Sequence, residues 1–593
     1  MKKLFSFLAV FALNLALAAS AFSASANISF DQVPAGIKKP GIYMEQDLSL
    51  ASHALPSMAR KVLVIGQRTG ARIEPEIFQG GTLDDMTSKG TYTATTVKKF
   101  RVKVSATGTP DMMQWSADNG TTWSVASGVT TTDTALVSGV SVSWAATTGH
   151  AVDDEWRFNA YPAASVAAET PTQIFSDGAA GTAFGQGSLA HLMARAAVQR
   201  NPYLDLTVVA LDDAAGIAAT GTITITETAT AAGTIRVYVG DQYADATIAL
   251  SDTPSAVAVK IANAIAAKSD MPVTATNAAG VVTFTAKNLG LCGNDIGLGY
   301  TLTSGIGTTA TVVAMASGAT NPTLQDALDA VYSTRYHLIV TPYNNQTDLA
   351  TLKTHVEGVS NALEQRGTVG FYATTGTLAA ADILAAQVNS QRITGSFVRY
   401  TAGTTQKQTP SWKVASIVAA GIAADPDVSN PVKNLAMTYA ATPTGADRLS
   451  RTEQETALAS GVSPCEVGPG EALRLVRMPV TYTADANSQT VFLDVHKVFG
   501  MDYVRDAAIS DLSAKAPKKI IREGSLTTIQ ILRNIVLDVA YRCQEAGVLT
   551  GVTSYKDQFI VEEDLANVGQ MNILMPSPVV DGLYVVAVKQ VLY

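Results

Sequence analysis

The sequence predicts a multidomain protein of mixed α/β (α+β) class: an alternating α/β core with inserted β-rich modules, flanked by extended N- and C-terminal arms. Three observations predict it. The run Lys61-Val-Leu-Val-Ile-Gly66 is continuously apolar and ends in glycine, as a strand buried on both faces does. From Asn321 onward strand and helix patterns alternate, which argues a mainly parallel sheet. Between these, residues 72–166 switch to Thr, Ser and aromatic residues with period-two alternation, and 216–318 has the pattern of a compact α+β module.

Composition sets the bounds. A chain of 593 residues suggests about four domains at ~150 residues each, and 47% hydrophobic content is ample for globular cores. Charged residues are only 16% and the net charge is -8, so no basic face points to nucleic acid or to an anionic membrane. Cys292, Cys465 and Cys543 are too few and too scattered for a disulfide framework or a metal site. Such sparse thiols suit a reducing compartment.

The elements follow in chain order. Residues 1–26 resemble a secretory signal peptide: Lys2 and Lys3 give a positive start, Leu4 to Phe22 an apolar stretch, and Ala24-Ser25-Ala26 a small-residue cleavage site. A membrane anchor fits less well, because Ser6, Asn14 and Ser20 interrupt the stretch and no stop-transfer charges follow. This export pattern conflicts with the thiol usage. Residues 27–50 form an extended arm. The core begins with 51–71 and continues in 167–215, with a helix at Ser188 to Ala196 whose Leu189, Leu192, Met193 and Ala196 share a face that excludes His191, and a strand at Leu206 to Leu211.

The intervening block, 72–166, holds four of the five Trp and is expected to be a small β-sandwich or barrel. Phe100, Val102 and Val104, then Val140, Val142 and Trp144, then Trp156, Phe158 and Ala160 mark its inward positions. Asp118-Asn119-Gly120, between Trp115 and Trp123, signals a hairpin. A sugar-binding role for these Trp is weaker than burial. The module 216–318 has strands at Thr222 to Thr226 and Thr234 to Val239, a helix from Thr253-Pro254 through Ala267, and a hairpin around Ala279-Gly280. Residues 319–445 hold strands at Tyr336 to Thr341, Thr368 to Ala373 and Ile393 to Tyr400, with helices opening at Thr347-Asp348 and crossing Ala380 to Val388. In 446–593 a long helix, Ser525 to Ala546, buries Ile529, Leu532, Val536, Val539 and Cys543 and exposes the pair Asp538 and Arg542. A terminal strand, Leu583 to Tyr593, closes the chain.

Motifs for chemistry are mostly missing. Without a Gly-Lys dipeptide there is no phosphate-binding loop, and Gly185-Gln-Gly187 and Gly468-Pro-Gly470 are better read as turns than as a dinucleotide fingerprint. No histidine is followed by Glu, and Gly358-Val-Ser360-Asn-Ala362 sits inside a predicted helix, the wrong context for a nucleophile. The acidic clusters Asp84-Asp85, Asp153-Asp154-Glu155, Asp212-Asp213 and Glu562-Glu563-Asp564 are expected to be solvated loops. The sequence therefore nominates no catalytic, metal or cofactor-binding residue, and the chain is expected not to be an enzyme.

The two ends are distinctive. Pro34, Gly36, Pro40 and Gly41 forbid a helix in the arm, yet Ile28, Phe30, Val33, Ile42, Tyr43 and Met44 need burial. A lone extended segment leaves its backbone groups unpaired, so it must add to a sheet, its own or a neighbour's. The terminal strand, with Tyr584, Val586, Val588 and Val591, is the natural complement.

Ile28-Ser-Phe-Asp-Gln-Val-Pro-Ala-Gly-Ile-Lys-Lys-Pro-Gly-Ile-Tyr-Met-Glu45, followed by Val62-Leu-Val-Ile-Gly66, resembles the opening of Mu-like bacteriophage contractile tail sheath proteins. Ala231-Ala-Gly-Thr-Ile-Arg-Val-Tyr-Val-Gly240 and Gly293-Asn-Asp-Ile296 are similar to their inserted module, and Asp447-Arg-Leu-Ser-Arg-Thr-Glu-Gln-Glu455 with Leu475-Val-Arg477 to their C-terminal domain. Residues 72–166 and 1–26 depart from the pattern. The resemblance implies a structural virion subunit in stacked hexameric rings around a tail tube, with arms adding strands to adjacent subunits and contraction driving the tube through the host envelope. It implies self-association and contacts with tail tube, baseplate and tail terminator proteins. It implies assembly in the host cytoplasm, and no cofactor, nucleic acid or membrane for the mature subunit. The alternative is an exported β-rich surface or adhesin-type protein.

Overall fold

A computed structural model describes residues 60–592 apart from 402–405, 485–492, 525–526 and 568. The leader-like segment and the N-terminal arm, with Ile28, Phe30, Val33, Ile42, Tyr43 and Met44, lie outside the described residues.

The core is a nine-stranded sheet. Its strands are numbered here in chain order: β1 Val62–Gln67, β2 Thr172–Gln173, β3 Leu206–Leu211, β4 Leu338–Val340, β5 Val369–Thr375, β6 Ile393–Val398, β7 Lys433–Ala436, β8 Val462–Val467 and β9 Leu473–Arg477. Their spatial order is β2-β3-β1-β4-β5-β6-β8-β9-β7. The six central strands, β3 to β8 in that order, are parallel, with Val62 opposite both Leu206 and Leu338 and Gly395 opposite Val462. β2 pairs antiparallel with β3 on one side; on the other, β9 pairs antiparallel with β8 and β7 antiparallel with β9. Every residue of β1, β3 and β6 is buried, as both-face coverage demands.

Helices supply that coverage. The helix Leu189–Arg200 crosses so close to β1 that a Cβ on Gly66 would stand 2.6 Å from Ala190 Cα, so the strand needs glycine there. This helix is buried nearly all round, and His191, expected off the apolar face, is inside too. Its Nε2 lies 2.8 Å from Asp177 Oδ1, and its Nδ1 accepts the Gly187 N–H at 3.0 Å. A neutral ring with both nitrogens engaged tolerates burial that periodicity alone would not assign. The helix Ser411–Ala423 is buried from Ser411 through Ile422.

The two insertions fold as separate layers. In the first, a six-stranded sheet around Lys98–Ala106 and Glu155–Tyr161 faces a three-stranded sheet of Met86–Gly90, Val140–Trp144 and Thr134–Ala135. Phe100, Val102, Val104, Val140, Val142, Trp144, Trp156 and Phe158 fill the space between them, so this is a β-sandwich. Asn119 and Gly120 take positive φ at the predicted turn. Trp123 instead lies outside, beneath Lys103 Nζ at 4.5 Å. The second insertion pairs a four-stranded and a three-stranded sheet with the helix Pro254–Ala266, whose N-cap Thr253 accepts the Ala256 N–H. Ala279 and Gly280 form its hairpin turn at φ 44° and 87°.

A buried ionic seam joins the two insertions to each other. Lys287 Nζ lies 3.3 Å from Glu74 Oε1 and donates to the Ser269 carbonyl at 3.0 Å. Asn159 Nδ2 donates to Glu74 Oε2 at 3.1 Å and to the Ala266 carbonyl at 3.0 Å. Arg72 lies 4.3 Å from the Tyr161 ring centre.

Several expectations are corrected. The helix Thr528–Glu545 buries Leu532, Val536, Val539 and Cys543, but Ile529, in its first turn, is 41% exposed. Arg542 is mostly covered, because it reaches Asp511 as well as Asp538. Gly358-Val-Ser360 straddles the end of the helix Gln346–Val359 rather than its interior. The acidic clusters are only partly solvated: Asp154 is buried and accepts the Ala151 N–H, and Asp213 accepts from Asn288, Gln67 and the Leu289 N–H. Residues 583–592 make no ladder among the described residues.

Candidate assembly surface

The described residues hold no group of three or more His, Cys, Asp or Glu placed to bind a metal ion. All three cysteines are buried free thiols, and burial pushes them up, Cys543 to about 11. The features that stand out are instead backbone edges and an uncovered arm.

β7 ends the core sheet with four residues, and three of them, Lys433, Asn434 and Ala436, are exposed. Short, lysine-bearing edges resist casual pairing. A second pair of edges belongs to the ribbon Ile560–Glu563 and Met571–Leu574, which pairs only with itself among the described residues. Val561, Met571 and Ile573 seat it on Leu532 and Ile535 of the helix Thr528–Glu545. A two-stranded ribbon is marginal in isolation, so this helix face carries it and both outer edges stay open to further strands.

The C-terminal segment is held to the rest of the chain at several points, one of them on β7. Leu549 and Val579 form an antiparallel bridge, and Val580 N–H donates to the Val548 carbonyl at 3.1 Å. Lys497 Nζ pairs with Asp581 Oδ1 at 2.6 Å, and Lys433 Nζ donates to the Leu583 carbonyl at 2.5 Å. The Arg477 guanidinium lies 3.6 Å from the Tyr584 ring centre. It is held there by Asp494, which accepts two of its N–H groups at 2.9 and 2.7 Å. The Tyr584 hydroxyl is 3.3 Å from His496 Nδ1; burial pushes the phenol up and the imidazole down, so both stay neutral.

After Tyr584 the grip ends. Every residue from Val585 to Leu592 is exposed, Val588 at 84% and Leu592 at 98%. Of the four terminal residues nominated from sequence, Val586, Val588 and Val591 lie in this uncovered run and Tyr584 lies against its own subunit. The anchoring side chains, Arg477, Asp494, His496 and Lys497, carried no sequence signal because they are distant from the tail along the chain.

A model of the phage tail sheath protein central domain matches residues 317–478, which include β4 to β9. The Mu-like prophage FluMu tail sheath protein of Haemophilus influenzae is 30% identical over 412 residues, 66% of this chain and 83% of that protein. Among solved structures, the sheath tail protein of Listeria innocua is 14% identical, with 70% of this chain and 90% of that one covered and a TM-score of 0.39. That of Desulfitobacterium hafniense is 13% identical, with 67% and 87% covered and a TM-score of 0.37.

The chain belongs to the phage tail sheath family and is a structural component of a contractile tail. Within that family its similarity is to a Mu-like prophage sheath, in line with the resemblance read from the sequence. Neither match supports export as a surface protein. No helix among the described residues is long and apolar enough to cross a membrane.

Proposed function

We propose that copies of this chain stack as hexameric rings around a tail tube, and that the sheath so formed contracts to drive the tube through the host envelope. One observation carries the self-assembly: eight consecutive exposed residues, 585–592, rich in Val and Leu, follow directly on the Leu583 carbonyl that Lys433 of the edge strand β7 holds. An uncovered apolar strand next to unpaired edges is satisfied by an edge on another copy. The arm around Ile28, Phe30, Val33, Ile42, Tyr43 and Met44 supplies the second exchanged strand.

Strand exchange suits a lattice that changes spacing, because backbone pairing holds neighbours together while rigid cores slide. Each pairing need contribute only a few kcal/mol, since a subunit tied to several neighbours gains by multivalency. The work comes from an extended lattice relaxing to a compact one, without a nucleotide or other cofactor. The tube runs inside, baseplate and terminator proteins bound the ends, and assembly takes place in the host cytoplasm. Electron microscopy of the purified full chain tests this reading. Striated hollow tubes or rings are expected; protein that stays monomeric and binds glycans would sink it in favour of a surface protein.

A further inference from the structure

The roots of both arms meet on one turn of the helix Val495–Lys515. On the N-terminal side, the buried Arg60 places its guanidinium 4.7 Å from the Phe499 ring centre. Its Nη1 donates to the Ile422 carbonyl at 2.8 Å and its Nη2 to the Asp427 carbonyl at 3.3 Å. On the C-terminal side, His496 touches Tyr584, Lys497 pairs with Asp581, and a Cβ on Gly500 would stand 2.9 Å from Val579. Asp494, the N-cap of the same helix, fixes the Arg477 that stacks on Tyr584. The loop from Asp425 to Lys433 closes the arrangement: Asp427 accepts from Arg60, Pro431 abuts Gly582, and Lys433 holds the Leu583 carbonyl.

We propose that this turn is a shared root for the two arms, with Arg60 and Tyr584 as fixed points that stay on their own subunit while only the chain beyond them passes to a neighbour. The inference rests on the strand-exchange reading above and sharpens it. Tyr584 then acts as a positioning residue, and residues 585–592 are the donated strand. At ~3.3 Å per residue, these eight residues span about 26 Å as a strand. Because one helix turn holds both roots, the arms cannot be redirected independently.

Hydrogen exchange on the full chain, first as unassembled subunit and then as tubes, tests this. In the unassembled wild type, amides of 579–584 are expected to be protected and those of 585–592 not; the latter gain protection in tubes. Tyr584→Ala should speed exchange at 579–584 about tenfold, whereas Tyr584→Phe, which keeps the ring under Arg477, should stay near wild type. Arg60→Ala and Tyr584→Ala should each speed exchange at Phe499 and Gly500. Unchanged exchange at 579–584 in Tyr584→Ala overturns the fixed point, and a response of Phe499 and Gly500 to only one variant overturns the shared root. If 585–592 stays unprotected in tubes while the boundary at Tyr584 holds, strand donation fails and the anchor stands.

Discussion

At the scale of single residues, His150 is the most consequential side chain in the first insertion. Its ring is fully buried, with Nδ1 3.0 Å from Asp111 Oδ2 and Nε2 2.9 Å from Asp85 Oδ1. Burial opposes the charged ring, but hydrogen bonds and charge from the two carboxylates prevail, and its pKa is raised. The folded state thus binds this proton more tightly than the unfolded one. The stabilisation is complete below about 6.5, the free-imidazole value, and is lost as pH rises through the raised value. Asp111 shifts the other way, lowered first by the Gly108 N–H and also by His150, so its contribution disappears in acid, below the usual carboxylate range. Urea unfolding followed by Trp fluorescence, which reports this module through Trp115, Trp123, Trp144 and Trp156, should show stability falling from pH 6 to 8. His150→Ala should cost roughly 3 kcal/mol at pH 6, by leaving two buried carboxylates unpaired, and should flatten that pH dependence. The sequence did not disclose this cluster, since its members lie 39 and 65 positions apart and meet only when the two sheets close.

At the scale of elements, strands were easier to read than helices. β1 and β3 announced themselves as short apolar runs, and the sandwich strands by alternation. The helix Ser411–Ala423 escaped notice because it is buried on every side, its Lys413 included, and a helix without a solvent-facing polar stripe has a weak 3.6-residue signature. Periodicity also overextended the buried stripe to Ile529 in the first turn, which is exposed although the neighbouring Thr528 is buried against Lys519 and Ile521. That turn is fixed by a capping box, with Thr527 accepting the Gln530 N–H and Gln530 Oε1 accepting the Thr527 N–H. Thr527→Ala is expected to cost about 1 kcal/mol, measurable in thermal unfolding. The seam between modules should be more sensitive. Lys287 is so buried that its pKa falls to about 8, and Lys287→Met leaves Glu74 without its closest cation. A loss of roughly 3 kcal/mol is expected, seen as a lower urea midpoint.

At the scale of the whole molecule, the proposed strand exchange separates folding from assembly. The described core buries its own strands and helices without residues 27–47, so deleting Asn27 to Asp47 should leave a folded, soluble subunit with an unchanged melting temperature that no longer forms tubes in electron micrographs. Tubes from the deleted protein would refute exchange through that segment. That apolar residues demand cover where prolines and glycines forbid a helix is legible in the sequence. The limit of the C-terminal arm was not. Tyr584 reads as one more member of an alternating strand, and only the approach of Arg477 and His496 from elsewhere in the chain divides it from Val586.

The neck of the sandwich has a consequence of another kind. Glu74 N–H donates to the Asn159 carbonyl at 2.8 Å, and Ile73 and Ala160 pair across the same ladder. Entrance and exit thus sit side by side on one ladder, about 5 Å apart, while Gln79 and Phe78 bond to Asn263 and Asn277 of the second insertion. A chain so built is a ready-made carrier: any compact passenger whose ends lie equally close can replace residues 75–158, keep Glu74 and Asn159 for the seam, and leave the register of β1 and β3 untouched.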